Sequence, residues 1–406
     1  MAIADHNWRL RRDLCLVWLK YVVHHITDFM SREESWERSS QAWAPGIVCT
    51  TVAEHEGVTH TGSGSYDEPG RTPIGAMETG VCLLVVLLAV LPGTSSFPAS
   101  AGKPSLRFLA LGDWGGLPIA PYHTAREMLT AREMGKAVAT LGADFILGLG
   151  DNFYYSGVQD VDDKRFQNTF ELVFRADSLK DVPWYLIAGN HDHNGNVSAQ
   201  IAYTNVSKRW NFPDYYYDLK FTVPGTNVSV AILMIDTVTL CGNSDDFQSQ
   251  QPEKPLSEEA ANQQLEWLKT KMSESKDDYL LVAGHYPVWS VAEHGPTHCL
   301  LKHLRPLLRK YNATAYFCGH DHNLQYIQDD VGIGYVLSGA GNFMEHSLKH
   351  ESKVPEGFLR FYYAQGSSMG GFVFVEITPD EMEVTYIMAG GKSLFHTTLP
   401  RRQRFH

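Results

Sequence analysis

Positive charge is in short supply: 34 lysines and arginines face 46 aspartates and glutamates, a formal net charge of -12. Nucleic acid and anionic membrane both demand basic surface, so general affinity for either is excluded. An anionic substrate would need a strong local positive centre, such as a metal. Apolar runs of membrane-spanning length are lacking too. The stretch from Leu14 to Ile26 is interrupted by Lys20, His24 and His25, and Val81 to Leu91 is an unbroken run of only eleven residues, against the roughly 20 that a spanning helix needs. Cysteine is scarce, with six in 406 residues.

What is present reads as globular, with 44% hydrophobic and 12% aromatic residues, enough to bury a core. The length suits two average domains, or one large α/β domain with a tail. Residues 1–76 are rich in Gly, Thr and Ser, show no sustained period, and are predicted to be a disordered extension. Residues 77–101 read as a secretory signal: Met77, the Val81 to Leu91 run, then the small-x-small pattern Ala99-Ser100-Ala101. Its n-region carries Glu78 but no Lys or Arg. The alternative for that run is a buried core helix. Cleavage after Ala101 would leave residues 102–406 as the mature domain, with Cys241, Cys299 and Cys318. Cys318 lies inside the apolar run ATAYFCGH, which leaves Cys241 to pair with Cys299. Sequons at Asn196, Asn205, Asn227 and Asn312 agree with secretion.

From Leu106 onward one unit recurs: an apolar run, a glycine, then a polar residue able to bind metal. LRFLALGD ends at Asp113, DFILGLGD at Asp151, WYLIAGN at Asn190, YLLVAGH at His285 and TAYFCGH at His320. Such runs are strands buried on both faces. Helical stretches between them, over Thr124 to Leu141, Leu265 to Met272 and Cys299 to Tyr311 with a break at Pro306, imply a mainly parallel core with helices outside. Gly371 to Ile377 and Glu381 to Met388 flank a Pro-Asp turn and read as an antiparallel hairpin at the edge of a second sheet. Ser244 to Glu259, polar with two prolines, reads as an exposed, protease-sensitive loop.

Ligands gather at the carboxyl ends of strands in open α/β sheets, so all five strand-end residues would converge on one edge. With Tyr154 and His322 they make three oxygen donors, three imidazoles and a phenol. Seven donors exceed one four-coordinate zinc and suit two ions that share a carboxylate. The mixed set favours iron, zinc or manganese over calcium, and the absence of thiolate disfavours an iron–sulfur cluster. Taken singly, each Gly-Asp or Gly-Asn is an ordinary turn, and GHDH, Gly319 to His322, a pair of solvated histidines. Five such signals in one chain in this order are not.

The order GD, GDxxY, GNH, GH, GHxH resembles that of the metallophosphoesterases, and GDNFY at Gly150 to Tyr154 resembles the purple acid phosphatases, in particular their short mammalian-type, tartrate-resistant group. The resemblance runs from about Leu106 to near the C-terminus and leaves out residues 1–76. It implies a β-sandwich of two mixed sheets flanked by helices, and an acid phosphatase with a dinuclear Fe(III)-Fe(II) centre. Asp113, Tyr154 and His322 would hold the ferric ion, Asn190, His285 and His320 the Fe(II), and Asp151 would bridge them. His191 and His294 match histidines that position the phosphate and protonate the leaving group; without the resemblance each is a plain surface histidine. Hydroxide from a metal-activated water would attack phosphorus in line, with no phospho-enzyme. The implied substrates are phosphate monoesters or phosphoproteins, and the implied setting is the secretory pathway, lysosomal or extracellular, for a monomer without a membrane span. Also implied are redox control at the second iron and a processing protease acting on the Ser244 to Glu259 loop, which could equally be a mobile loop of no consequence.

Two rivals stand beside this reading. A protein serine/threonine phosphatase would carry GDxxDRG where this chain has GDNFYYSG, and Tyr154 replaces its acid. A secreted binding glycoprotein with a vestigial site would have no use for an intact ligand set. The processing expectation has a direct check: N-terminal sequencing of the secreted protein should give a start just after Ala101, and a start well upstream of Met77 would overturn it.

Overall fold

The computed structural model describes residues 104–244, 251–252 and 254–402. The expected extension, the signal segment, and the centre of the Ser244 to Glu259 loop at 245–250 and 253 lie outside the described residues. The first elements are β1 (Leu106–Leu111), α1 (Ala125–Leu141), β2 (Phe145–Gly148), β3 (Trp184–Leu186), α2 (Asn190–His193), α3 (Val197–Tyr203) and β4 (Trp210–Asn211). Then come β5 (Tyr217–Thr222), β6 (Ser229–Met234), α4 (Thr237–Cys241), α5 (Glu258–Glu274), β7 (Tyr279–Ala283), α6 (His298–His303) and α7 (Arg305–Lys310). The chain closes with β8 (Ala315–Cys318), β9 (Leu324–Gln328), β10 (Gly334–Ser338), β11 (Leu359–Tyr363), β12 (Gly371–Ile377), β13 (Glu381–Met388) and β14 (Ser393–Pro400).

The strands form two mixed sheets, in the orders β14-β13-β12-β1-β2-β3-β4 and β11-β9-β10-β8-β7-β6-β5. In the first, β1 to β4 run parallel and β12 joins β1 antiparallel. In the second, β6, β7, β8 and β10 run parallel. Alternation along each strand decides which side chains go where. Phe108 and Ala110 of β1 face the layer between the sheets, with Leu281 and Phe317 from the second sheet, whereas Leu109 and Leu111 face α1 and the Trp114, Trp184 and Trp210 cluster. The far face of the second sheet is covered by α5, α6 and α7 through Leu268, Leu300 and Leu308. The expected parallel core therefore exists in two halves, so the five strand ends belong to two sheets and not to one open edge.

Helix α1 starts where its sequence says it should. Thr124 accepts a hydrogen bond from the Glu127 amide at 3.0 Å, and Glu127 accepts from the Thr124 amide at 3.3 Å, a reciprocal capping box. The break near Pro306 separates α6 from α7 and leaves Pro306 in the first turn of α7, where its missing N–H costs nothing. The hairpin has the expected bounds but sits in the first sheet against β1, and the edge is β14, a strand whose alternating exposure hides it among polar residues. Helix α5, capped by Ser257, takes Glu258 and Glu259 from the expected loop. Cys241 and Cys299 are disulfide-bonded, joining the end of α4 to α6, and Cys318 is a buried free thiol. Among the described residues no helix is long and apolar enough to cross a membrane.

Thr124→Ala should lower stability by about 1 kcal/mol through loss of the cap. A shift of the urea midpoint at unchanged slope would show it.

Candidate metal centre

All seven predicted donors come together where the carboxyl ends of the two sheets meet. Asp113 follows β1, Asp151 and Tyr154 follow β2, and Asn190 opens α2 just past β3. From the other sheet come His285 after β7 and His320 and His322 after β8. They fall into two groups. In one, Tyr154 Oη lies 3.2 Å from Asp113 Oδ1 and 2.9 Å from His322 Nε2, and His322 Nε2 lies 3.7 Å from Asp113 Oδ1. In the other, His285 Nε2 lies 2.9 Å from Asn190 Oδ1 and 3.4 Å from Asp151 Oδ2, and ligand atoms of Asp151, His285 and His320 all fall within 4.8 Å of one another. Except for His322, every donor is buried.

The backbone is bent to bring them there. Asp113, Asp151 and His320 have φ of 59°, 52° and 72°, a left-handed conformation that non-glycine residues adopt at a cost of order 1–3 kcal/mol each. It turns the chain sharply off the strand end. The approach is close: a β-carbon on Gly189 would meet Asp151 Oδ1 at 2.2 Å, and one on Gly319 would meet Asp113 Oδ2 at 2.3 Å. Backbone amides hold both carboxylates in place, His320 N–H to Asp113 Oδ2 at 2.9 Å and His191 N–H to Asp151 Oδ1 at 3.0 Å.

Buried carboxylates need compensating charge, and the ion pairs of Asp113 and Asp151 are with imidazoles, His322 and His285. Burial pushes the Asp113 carboxyl up to about 7, with His285 and His322 opposing. Burial would raise Asp151 as well, but His285 and His191 hold it below the usual carboxylate range. His285 rises to about 10 against its own burial because Asp151 and Asp113 surround it. Burial and then the neighbouring imidazoles push His320 well below the usual value. Protons on imidazole are thus the positive charge this cluster has of its own, and metal cations would replace them. The donor set fits two such ions: carboxylate, phenol and imidazole in one group, carboxylate, amide and imidazole in the other.

Hydrogen bonds beyond the donors set their orientation. His285 Nδ1 bonds the Leu149 carbonyl at 2.9 Å, turning Nε2 to the site. Glu345 Oε1 lies 3.4 Å from His322 Nδ1. His191 bonds the Tyr155 carbonyl through Nδ1 at 2.9 Å and packs on Tyr154, and the His294 ring lies 4.2 Å from that of His320. Both stand at the site, and neither is a plain surface histidine. Sequence reading missed four acids. Asp192 accepts from Gly189 N, Asn152 N, Phe153 N and Gln200 Nε2, and Asp321 accepts from His294. Asp236 pairs with His193 at 2.7 Å and caps α4, and Glu345 faces His322. The signal for two of them was available, since Asp192 and Asp321 stand inside GNHDH and GHDH.

Two sheets whose parallel strands deliver carboxylates and histidines to a shared edge define a metallophosphoesterase. Residues 106–324 match the family model described as Calcineurin-like phosphoesterase. Within that class the chain belongs to the purple acid phosphatases. It is 63% identical to human tartrate-resistant acid phosphatase type 5, covering 81% of this chain and 100% of that one, and 30% identical to purple acid phosphatase 3 of Arabidopsis thaliana, over 72% and 77%. Among solved structures, GAP50, titled the anchor in the inner membrane complex of Plasmodium, superposes with a TM-score of 0.63 at 23% identity, over 74% of this chain and 90% of that one. That likeness shows the fold alone.

The His193–Asp236 pair anchors α2, which carries Asn190. Burial would lower the His193 value, but Asp236 raises it above the ordinary 6.5, so the pair contributes stability that is full below that value and lost as pH rises through the folded one. His193→Gln should therefore lower the unfolding temperature more at pH 5.5 than at pH 8.5, and an equal or reversed loss would exclude that role.

Proposed function

We propose that this acid phosphatase hydrolyses phosphate monoesters, phosphoproteins included, at a dinuclear iron centre, and that it works in the secretory pathway, in lysosomes or outside the cell. A ferric ion would be held by Asp113, Tyr154 and His322, an Fe(II) by Asn190, His285 and His320, with Asp151 shared. The observation that carries this reading is the buried phenol of Tyr154, set between an Asp113 carboxylate oxygen and the His322 nitrogen. The neutral phenol donates to Asp113 there, and the same oxygen, once ionised, suits a hard trivalent cation. When bound, the two cations supply Lewis acidity and the positive charge that a phosphate dianion requires.

The chain's own residues do the rest. Asp113 and Asp151, fixed by backbone amides, keep the two donor groups in register. His191 and His294, one beside each donor group, bind phosphate oxygens and hand a proton to the departing alcohol. A vestigial binding site is disfavoured by the completeness of the donor set. The Cys241–Cys299 disulfide supports an oxidising compartment, as do exposed sequons at Asn196, Asn205 and Asn227, with Asn312 half-buried. The fifth of the chain that full-length relatives leave unmatched is about the length of the proposed extension, residues 1–76. The Ser244 to Glu259 loop has its ends beside the site, where Asn243 bonds the Asn190 carbonyl and Gln251 the His294 carbonyl, which supports a repressing loop whose proteolysis would raise activity. Reducing the second iron would activate the enzyme and peroxide would silence it.

Purified mature protein should hold two irons per chain, show a purple phenolate-to-iron band, and release phosphate from monoesters at acidic pH. Tyr154→Phe should abolish the band. A retained band, or a phosphorylated residue trapped during turnover, would overturn the assignment.

A further inference from the structure

The predicted proton donor His294 rests on a buried polar frame. Its Nδ1–H donates to Asp321 Oδ1 at 2.9 Å, and its backbone N–H donates to the same oxygen at 3.0 Å. The other oxygen, Oδ2, accepts from Ser290 Oγ at 2.5 Å. Ser290 in turn accepts from Gln325 Nε2 at 2.8 Å, and Gln325 Oε1 accepts from the Val291 amide at 3.1 Å. Asp321, Ser290 and Gln325 are each at most 1% exposed. A buried carboxylate bound twice to one histidine fixes both the place of that residue and the tautomer of its ring. With Nδ1 committed to Asp321, any proton that His294 exchanges at the site passes through Nε2.

We infer that Asp321 is a positioning residue for leaving-group protonation, holding His294 so that Nε2–H faces the ester oxygen, and that Ser290 fixes Asp321 in turn. The inference rests on the reading of His294 given above. In the step concerned, the oxygen of water forms a bond to phosphorus and the bond from phosphorus to the alcohol oxygen breaks. The Nε2 proton goes to that oxygen, and the proton lost by the attacking water restores the imidazolium through solvent. A poor leaving group such as an alkoxide depends on this proton, and a nitrophenolate hardly does.

The test compares the mature holoenzyme with Asp321→Asn, Ser290→Ala, His294→Ala and the Asp321→Asn/His294→Ala double variant, on glycerol phosphate and 4-nitrophenyl phosphate. Rates are taken per metal pair, read from iron content and the visible band. Asp321→Asn should lower kcat for the alkyl ester at least ~10-fold more than for the aryl ester, given the ~100-fold or greater worth of a general acid. Ser290→Ala should show the same bias, smaller, and keeps the test open should Asp321→Asn load metal poorly. The double variant should show no greater bias than His294→Ala. Equal losses on both esters in Asp321→Asn and Ser290→Ala, while His294→Ala shows the bias, would overturn the role of Asp321. Absence of bias in His294→Ala itself would overturn the inference through its premise, leaving the iron centre, read from the band, standing.

Discussion

Two carboxylates, Asp113 and Asp151, are taken out of water at the meeting edge of two sheets, with imidazoles rather than lysine or arginine as their ion-pair partners. Everything nearby answers to that. Burying an ionised carboxylate costs several kcal/mol unless charge and hydrogen bonds are returned to it. Backbone amides of His320 and His191 return part, His285, its value raised by the carboxylates around it, returns part, and His322 lies 3.7 Å from Asp113. The remainder is a demand for cations. Metal affinity and structural order are therefore linked here, because the groups that would bind the ions also hold one another in place.

The same demand accounts for the strained backbone. Asp113, Asp151 and His320 occupy left-handed conformations that asparagine or glycine would adopt more cheaply. Neither could replace the charge of the two aspartates or the imidazole of His320. The surroundings hold the strain in place: the Asp113 amide bonds the Gly150 carbonyl at 3.0 Å, and the Asn342 amide bonds the Asp113 carbonyl at 2.8 Å. Glycines at 189 and 319 then admit each carboxylate against the backbone of a neighbouring loop.

Much of this was legible in the chain because burial on both faces leaves a local mark. The runs at β1, β2, β3, β7 and β8, each ending in a glycine and a polar residue, gave the strands and five of the seven proposed donors, with Tyr154 and His322 a few residues further on, and Pro306 gave the helix break. Which sheet a strand joins leaves no such mark. Phe108 of β1 and Phe317 of β8 look alike in sequence, yet they meet from opposite sheets at a ring separation of 5.8 Å. Strand β14 was illegible because an edge strand with one wetted face is polar. Asp192 and Asp321 stood in plain view within their motifs, but the partners that tie them to other loops, Asn152 and Phe153 for one and His294 for the other, lie 39 to 40 and 27 residues away, and hydrogen bonds of that span have no local period.

Those two acids show a common construction in the two sheets. Asp192, in the short helix α2 after β3, bonds the amides of Asn152 and Phe153 in the loop after β2. Asp321, in the loop after β8, bonds His294 and Ser290 in the segment after β7. Each ties the loop bearing one donor to the loop of the adjacent strand, and each leaves a histidine beside the site, His191 or His294. A rigid strand alone would fix only the start of such a loop; a second tie fixes its end, as a side chain that must meet a reacting oxygen within a fraction of an ångström requires. The site is thus a pair of cross-braced loops, one pair per sheet, closed across the middle by the bonds of His320 to Asp113 and of His285 to Leu149. Each brace also adjoins the polar residues it stands among, Asp192 two residues after Asn190 and Asp321 between His320 and His322, so place of histidine and place of neighbour are fixed by one carboxylate.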